Sequence, residues 1–124
     1  FDLIHPGYIT MFEDAKTMCS HLIVALQSDP TIDRPASHKR KPVHSLEERK
    51  IILSAIKWID QIETYSTEDD LYSLLKTLRP DVRILGSDYL NQPYNGDDLG
   101  IPVSFHSRNH DWSTTDLISK IKNE

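Results

Sequence analysis

Apolar residues along this 124-residue chain repeat first with the spacing of a helix and then as a short continuous run. From Tyr8 to Cys19 they recur at helical intervals, which predicts an amphipathic helix over about residues 7–19. The run His21 to Ser28 is short and apolar, and it predicts a buried strand. Residues 29–44 contain three prolines and follow neither period, so we expect a loop there.

Capping patterns predict where the next two helices begin. Ser45 and Glu48 have the spacing of a capping box, which predicts a helix running to about Trp58. The apolar positions of that helix predict that it buries Ile52, Ala55 and Ile56. Thr67 is predicted to cap a helix through about Leu78, and acidic residues follow at the positive end of its dipole.

Strands and helices alternate along the whole chain. Further strands are predicted at 59–64, 82–85 and 101–106, a polar loop at 87–100, and a last helix that Ser113 caps and that ends near Lys122. Short apolar strands separated by helices indicate a parallel sheet covered on both faces. We therefore predict one α/β domain over residues 1–124, a doubly wound Rossmann-like fold with its ligand site at the carboxyl ends of the strands.

The first residues form a turn with no strand before them. Phe1 stands directly at the start of this turn, so we expect about ten preceding residues, one strand and its connection, to be missing from the sequence. In a doubly wound sheet that strand would lie at the centre, between the strands predicted at 22–28 and 82–86.

Composition narrows the classes of protein to consider. Apolar residues make up 38% of the chain and charged residues 27%, with no run long enough to span a membrane and no signal-peptide pattern in the given residues. The single cysteine, Cys19, cannot form an internal disulfide, so we expect a cytoplasmic protein. A net charge of −5 argues against nucleic-acid binding. The one basic cluster, residues 38–41, is either a solvated loop or a local phosphate contact.

Two segments carry the residues best suited to bind phosphate. In the first, His5, Pro6 and Gly7 form a turn into a helix, where backbone N–H groups and a histidine are available to an anion. In the second, Arg108 and the hydroxyl residues 113–115 precede the last helix. For each segment the alternative is a purely structural helix start.

Taken together, several motifs in order resemble the cytidylyltransferase family, most closely the bacterial glycerol-3-phosphate cytidylyltransferases. The heptose-phosphate nucleotidyltransferases are similar, particularly around Gly86 to Tyr89. The segments that carry the resemblance are Phe1 to Gly7, Glu13 to Lys16, Leu22 to Asp29, Glu48-Arg49, Pro80 to Val82, Gly86 to Tyr89 and Ser113 to Thr115, the last preceded by Arg108.

The resemblance implies a homodimeric enzyme that uses CTP and a phosphorylated small molecule, with Mg²⁺ held mainly through the nucleotide phosphates and not by protein ligands. It implies catalytic roles for His5, Lys39, Arg40 and Arg108. The nucleotide-binding residues that it implies are Phe1, Asp2, Pro6, Gly7, Tyr8, Lys41, Asp88, Tyr89, Ser113, Thr114 and Thr115.

The sequence departs from this family in two places. Tyr8 occupies the position of a second histidine, and a tyrosine can donate a hydrogen bond but carries no positive charge. It either faces the phosphates or packs with the apolar face of the first helix. The glycerol-phosphate enzymes have a basic residue early in the third helix, whereas residues 67–73 contain none. Two other functions therefore stay open: adenylyl transfer to a sugar phosphate, and nucleotide binding without turnover.

Overall fold

The computed structural model describes residues 1–33, 41–107 and 111–123. These ranges contain five α-helices and four strands in an alternating order. The helices are α1 (Pro6–Thr17), α2 (Pro30–Asp33), α3 (Leu46–Ser54), α4 (Glu68–Leu78) and α5 (Thr114–Lys122). The strands are β1 (Ile23–Gln27), β2 (Gln61–Tyr65), β3 (Arg83–Gly86) and β4 (Val103–His106).

Reciprocal capping starts two of the helices. At α3 the Ser45 hydroxyl accepts from the Glu48 N–H, and the Glu48 carboxylate accepts from the Ser45 N–H. Thr67 and Asp70 make the same exchange at α4. The backbone N–H groups of Ser45 and Thr67 lower the pKa values of the two carboxyl groups that they contact. Both predicted helix starts are confirmed.

Helix α3 is shorter than its sequence predicts, and it turns a different face to the core. It ends at Ser54, several residues before the predicted end. Its buried residues are Arg49 and Leu53, which are 4% and 0% exposed and lie one turn apart. The three residues predicted to be buried are half-buried or exposed: Ile52, Ala55 and Ile56. The apolar pattern was misleading because a charged residue occupies one of the buried positions.

The two predicted loops contain short helical turns. After β1, the Asp29 carboxylate accepts from the Thr31 N–H and starts helix α2 within the segment predicted to be a loop. After β3, 3₁₀ turns occupy Ser87–Tyr89 and Asp97–Leu99. These turns were missed because single hydrogen-bonded turns leave no apolar periodicity in the sequence.

The strands form two pairs, β1 with β2 and β3 with β4. The Leu22 carbonyl accepts from the Gln61 N–H before the first pair begins, and the Ser28 N–H donates to the Tyr65 carbonyl at its end, so these strands run parallel. Strands β3 and β4 are parallel from Arg83 opposite Val103 to Gly86 opposite His106. The predicted α/β fold with parallel strands is confirmed and is consistent with a Rossmann-like architecture. The strand expected before Phe1 stays a prediction.

The chain divides into two compact units. The first comprises Phe1–Val24, Pro42–Glu63 and Asn109–Glu124, and the second Ala25–Lys41 and Thr64–Arg108. The buried side chains of the first unit are those of Phe12, Ala15, Leu22, Val24, Arg49 and Leu53, and those of the second are Leu26 and Leu75. No helix in the described ranges has both the length and the apolar character needed to cross a bilayer.

Candidate functional site

His5 forms the turn that leads into α1. It is the N-cap residue, and its Nδ1 accepts a hydrogen bond of 3.1 Å from the Gly7 N–H. A neutral imidazole whose Nδ1 accepts carries its proton on Nε2, so the ring presents a donor on its other side. Pro6 occupies the first helical position, where its missing N–H costs nothing, and Gly7 is buried.

The backbone at the start of α1 is partly occupied by contacts within the turn. The Gly7 N–H donates to the His5 ring, and the Tyr8 N–H donates to the His5 carbonyl oxygen at 3.0 Å. The sequence predicted that such amides would be available to a phosphate. In this structure two of those amides are used within the turn itself.

Tyr8 lies between the first helix and the last. Its ring stacks on the His5 ring with a centroid distance of 4.0 Å and meets the edge of the Phe1 ring at 5.1 Å. Its hydroxyl lies 3.4 Å from Thr114 Oγ1. Phe1 also packs on the buried Phe12 ring at 5.2 Å, so its side chain belongs to the core of the first unit. Tyr8 therefore contacts Phe1, which packs on α1, and two predicted phosphate residues, His5 and Thr114.

Thr114 joins the two ends of the chain. Its hydroxyl donates to the Asp2 carbonyl oxygen at 2.7 Å, across 112 positions of sequence. Because a threonine hydroxyl has only one proton, the contact with Tyr8 requires the tyrosine hydroxyl to be the donor. The direction of both hydrogen bonds is thus determined, from Tyr8 to Thr114 and from Thr114 to Asp2.

The Asp2 carboxylate holds the segment just before α3. Its two oxygens accept from the Val43 N–H at 2.7 Å and the His44 N–H at 3.0 Å. We call this group, Asp2, Tyr8, Val43, His44 and Thr114, the Asp2 junction. All of its hydrogen bonds lie within the first unit and connect three segments that are distant in sequence. The predicted nucleotide contact of Asp2 therefore competes with two backbone amides.

Arg49 is buried in α3 next to the Asp2 junction. Its Nε donates to the carbonyl oxygens of His44 and Ser45, at 3.2 and 3.3 Å. The segment that Asp2 holds from one side is therefore held from the other by a guanidinium. Sequence analysis quoted Arg49 only as part of a family motif and assigned it no role. The sequence does show that Arg49 lies four residues before Leu53, which places the two residues on the same face of the helix.

At α5 the predicted hydroxyl residues have separate roles. Ser113 is the N-cap, and its Oγ accepts from the Asp116 N–H at 3.0 Å. Thr114 is half-buried in the Asp2 junction, and Thr115 is exposed. Thr115 is thus the most exposed residue of this motif.

The remaining predicted residues lie in the second unit or outside the described ranges. Asp88 and Tyr89 form a 3₁₀ turn directly after β3, and Tyr89 is 41% exposed. Lys41 is exposed, with its ammonium 3.8 Å from the Asp29 carboxylate, a pair that solvent weakens. Three predicted catalytic residues lie outside the described residues: Lys39, Arg40 and Arg108.

Sequence analysis missed His106, the last residue of β4. It lies opposite Gly86 in the β3–β4 pair and is half-buried. The carboxyl ends of parallel strands are where ligands bind in α/β folds, so an imidazole there is well placed for a polar ligand. The available signal was its position at the end of a predicted strand, two residues before Arg108.

Within the described ranges, no group of three or more histidine, cysteine or acidic side chains lies close enough to hold a metal ion. The Asp2 carboxylate accepts from two backbone amides. That the phosphates of a nucleotide hold the magnesium stays a prediction.

Comparison with known proteins identifies the family. Residues 1–120 match the sequence model of the cytidylyltransferase-like family. The chain is 33% identical over 122 residues to the bifunctional protein HldE of Helicobacter pylori, and 32% identical over 125 residues to that of Caulobacter vibrioides. Each alignment covers 98% of the chain and 26% of the relative. The HldE protein of Gluconacetobacter diazotrophicus is 36% identical over 99 residues, 80% of the chain and 20% of the relative.

The chain thus spans about a quarter of the length of the curated relatives it matches. Because the family match extends over nearly the whole chain, it includes the turn at His5, the Asp2 junction and the start of α5. The chain belongs to the cytidylyltransferase-like family of nucleotidyltransferases.

Proposed function

We propose that this protein transfers CMP from CTP to a phosphorylated small molecule, glycerol 3-phosphate or a related polyol or sugar phosphate, and releases pyrophosphate. The observation that carries the proposal is the hydrogen-bonded connection from Tyr8 through Thr114 to Asp2, which brings the starts of α1 and α5 together. Two helix starts that converge combine partial positive charge with N–H and hydroxyl donors, which suits a polyphosphate.

The reaction needs positioning more than covalent chemistry. An oxygen of the acceptor phosphate attacks the α-phosphorus of the triphosphate, a new P–O bond forms, and the bond from the α-phosphorus to the bridging oxygen breaks. Pyrophosphate leaves with the bonding electrons, and no covalent enzyme intermediate is required. Catalysis then comes from aligning the reactants and neutralising the developing charge.

The described residues supply the donors for this role. His5, the N-cap residue of α1, and Thr115, an exposed residue in the first turn of α5, are proposed to contact phosphate oxygens. Arg108, Lys39 and Arg40 are proposed to add positive charge from outside the described ranges. Magnesium bound to the phosphates would supply further charge neutralisation.

A second candidate is adenylyl transfer to a sugar phosphate. It is favoured by the similarity of Gly86 to Tyr89 to the heptose-phosphate nucleotidyltransferases and by the absence of a basic residue in residues 67–73. Either activity is proposed for a homodimer in the cytoplasm. A nucleotide-binding module without turnover is the remaining alternative, because Tyr8 replaces a histidine.

The test is pyrophosphate release in the presence of Mg²⁺. Each of CTP, ATP, GTP and UTP is paired with glycerol 3-phosphate and with a set of sugar phosphates. We expect release with one nucleotide, and the same nucleotide should raise the melting temperature selectively because it binds only the native state. Release with ATP and a sugar phosphate alone would establish the second candidate. If one nucleotide raises the melting temperature selectively but no pair releases pyrophosphate, the protein would be a nucleotide-binding module without turnover.

Arg108→Ala provides the matched test of the site. We expect turnover to fall on the order of a hundredfold or more, because a charged contact is lost in the transition state. The melting temperature should stay unchanged. Lys120→Ala, which removes an exposed charge on α5, serves as the control and should keep full activity. Equal turnover in both variants would remove Arg108 from the site.

A further inference from the structure

Arg83 is a charged residue at a strand position in the second unit. It is the first residue of β3 and is half-buried. Its Nη1 donates to the Asn95 carbonyl oxygen at 2.6 Å, and its guanidinium carbon lies 5.3 Å from the centre of the Tyr94 ring. The guanidinium is therefore held against a specific loop.

The loop after Tyr94 brings the backbone of Gly96 close to the Arg83 guanidinium. Gly96 is buried and has a φ of +83°, a conformation that favours glycine. A Cβ at this position would lie 3.1 Å from Arg83 Nη1 and 2.8 Å from Leu75 Cδ1. A side chain at this position would force the Leu75 side chain to move and would press on Arg83 Nη1.

Asn95 connects the guanidinium to the start of α4. Its side-chain amide donates to the Glu68 carbonyl oxygen at 2.7 Å and to the Glu68 carboxylate at 2.8 Å. Glu68 is the first residue of α4, which follows the carboxyl end of β2. The Arg83 side chain thus reaches toward the end of the strands at which α/β proteins bind ligands, although its backbone lies at the other end of β3.

The guanidinium has more donors than the surrounding chain uses. It carries five N–H groups. Among the described residues its hydrogen-bond acceptor is the Asn95 carbonyl oxygen, and neither Nε nor Nη2 has one there. Burial lowers the pKa of Arg83, while nearby Tyr94, Tyr65 and Asp97 raise it, and an arginine stays charged at neutral pH. Partly burying a cation costs free energy when some of its N–H donors have no acceptor. A bound anion that accepts from those donors would offset this cost.

We propose that Arg83 binds the phosphate group of the acceptor, with Nε and Nη2 donating to two phosphate oxygens. We define the Arg83 pocket as Arg83, Glu68, Tyr94, Asn95 and Gly96. The ligand class is a phosphate monoester of a small hydroxylated molecule. A guanidinium edge matches two phosphate oxygens in a bidentate arrangement, and the Tyr94 ring packs against the guanidinium. This inference rests on the proposed function for the identity of the ligand as acceptor.

Arg83→Gln tests this proposal by direct binding. Glycerol 3-phosphate and inorganic phosphate are titrated into the full chain, and the backbone amide signals of residues 94–96 are followed by NMR. We expect saturable shifts in the wild type and at least tenfold weaker binding of glycerol 3-phosphate in Arg83→Gln. Arg79→Gln is the matched control, because Arg79 is an exposed arginine at the end of α4, and it should bind like the wild type.

The nucleotide serves as the second arm of the test. The thermal shift that the preferred triphosphate produces should be unchanged in Arg83→Gln. A reduced nucleotide shift with normal monoester binding would overturn the assignment, since the phosphate bound would then belong to the nucleotide. Normal binding of both ligands by folded Arg83→Gln would also overturn it.

If Arg83→Gln does not fold, Arg83→Lys is used in its place. A lysine keeps one donor for the Asn95 carbonyl oxygen but lacks the edge of two N–H groups that could bind two phosphate oxygens. Monoester binding by Arg83→Lys as tight as in the wild type would contradict the proposal.

Failure of this inference and failure of the proposed function give different results. Monoester binding that depends on Arg83, with no pyrophosphate release from any nucleotide, would retain the pocket and remove the enzymatic function. Pyrophosphate release with an unchanged KM for the acceptor in Arg83→Gln would retain the enzyme and remove the pocket. The expected result is an acceptor KM at least tenfold higher, with an unchanged KM for the nucleotide.

Discussion

The Asp2 junction and the Arg83 pocket both place a charged side chain against backbone polar groups, but they use its hydrogen-bonding capacity differently. In the Asp2 junction both carboxylate oxygens accept from backbone amides. In the Arg83 pocket one carbonyl oxygen accepts from the guanidinium, and Nε and Nη2 have no acceptor among the described residues. We expect a carboxylate held by two backbone amides to position the chain, whereas a guanidinium with unused donors can bind a ligand.

This difference predicts where the effect of a mutation will be measured. Removing Asp2 leaves two backbone N–H groups without their acceptor, so the loss should be one of folding stability. Removing Arg83 leaves one carbonyl oxygen without a donor, and we expect the larger loss in ligand binding. Three substitutions test this comparison, and their expected effects on folding stability decrease from Gly96→Ala through Asp2→Ala to Tyr8→Phe.

Gly96→Ala should destabilise the Arg83 pocket most. The added Cβ would lie within 2.8 Å of the Leu75 side chain and would also be strained at a φ of +83°. Crowding and backbone strain together should lower the free energy of unfolding by about 3 kcal/mol, as measured by denaturant unfolding. The control is Gly100→Ala, at a φ of +71° with no atom within 4 Å of the new Cβ, which should cost about 1 kcal/mol. Equal losses in the two variants would show that the close contacts of the new Cβ with Leu75 and Arg83 are unimportant.

Asp2→Ala should lower the free energy of unfolding by about 2 kcal/mol, because the amides of Val43 and His44 lose a charged acceptor. Asp2→Asn retains one acceptor oxygen and should lose roughly half as much. Chemical denaturation of both variants measures the difference, with Glu13→Ala, an exposed residue on α1, as control. A stable Asp2→Ala protein that has lost nucleotide binding would reverse the interpretation, and the carboxylate would then belong to the ligand site.

Tyr8→Phe should have the smallest effect on folding. Its hydroxyl donates to Thr114 over 3.4 Å, a long hydrogen bond, so its loss should cost no more than about 1 kcal/mol of stability. Nucleotide affinity is the informative measurement. A loss of about 1–3 kcal/mol in binding would indicate that the hydroxyl turns to a phosphate when the nucleotide binds. Tyr8→His should then retain or raise activity, and an active Tyr8→His with an inactive wild type would identify a binding module.

Local sequence predicted the helix starts well and the buried faces poorly. Ser45 with Glu48, and Thr67 with Asp70, form capping boxes because the partners are three residues apart and meet in one turn. The buried face of α3 was predicted wrongly because Arg49 is buried there, and a buried guanidinium depends on acceptors supplied by its surroundings. Nothing in the spacing of apolar residues reports where those acceptors lie.

For the candidate site, the sequence marked the two segments but not how they are joined. The family motifs drew attention to His5 and Thr114. The structure adds that Thr114 donates to the backbone of Asp2 and that the Asp2 side chain holds Val43 and His44. Nucleotide contacts at these residues stay predictions.

By itself, the sequence determined the alternation of helices and parallel strands, the capped helix starts and the membership of a nucleotidyltransferase family. These features depend on short-range spacing and on the order of motifs along the chain. Only the tertiary structure decided the partners of Asp2, at 41 and 112 positions along the chain, and the loop that encloses the Arg83 guanidinium. The reason is physical: a hydrogen bond between distant segments depends on distances and directions of a few ångströms, which the folded backbone determines and the local sequence does not.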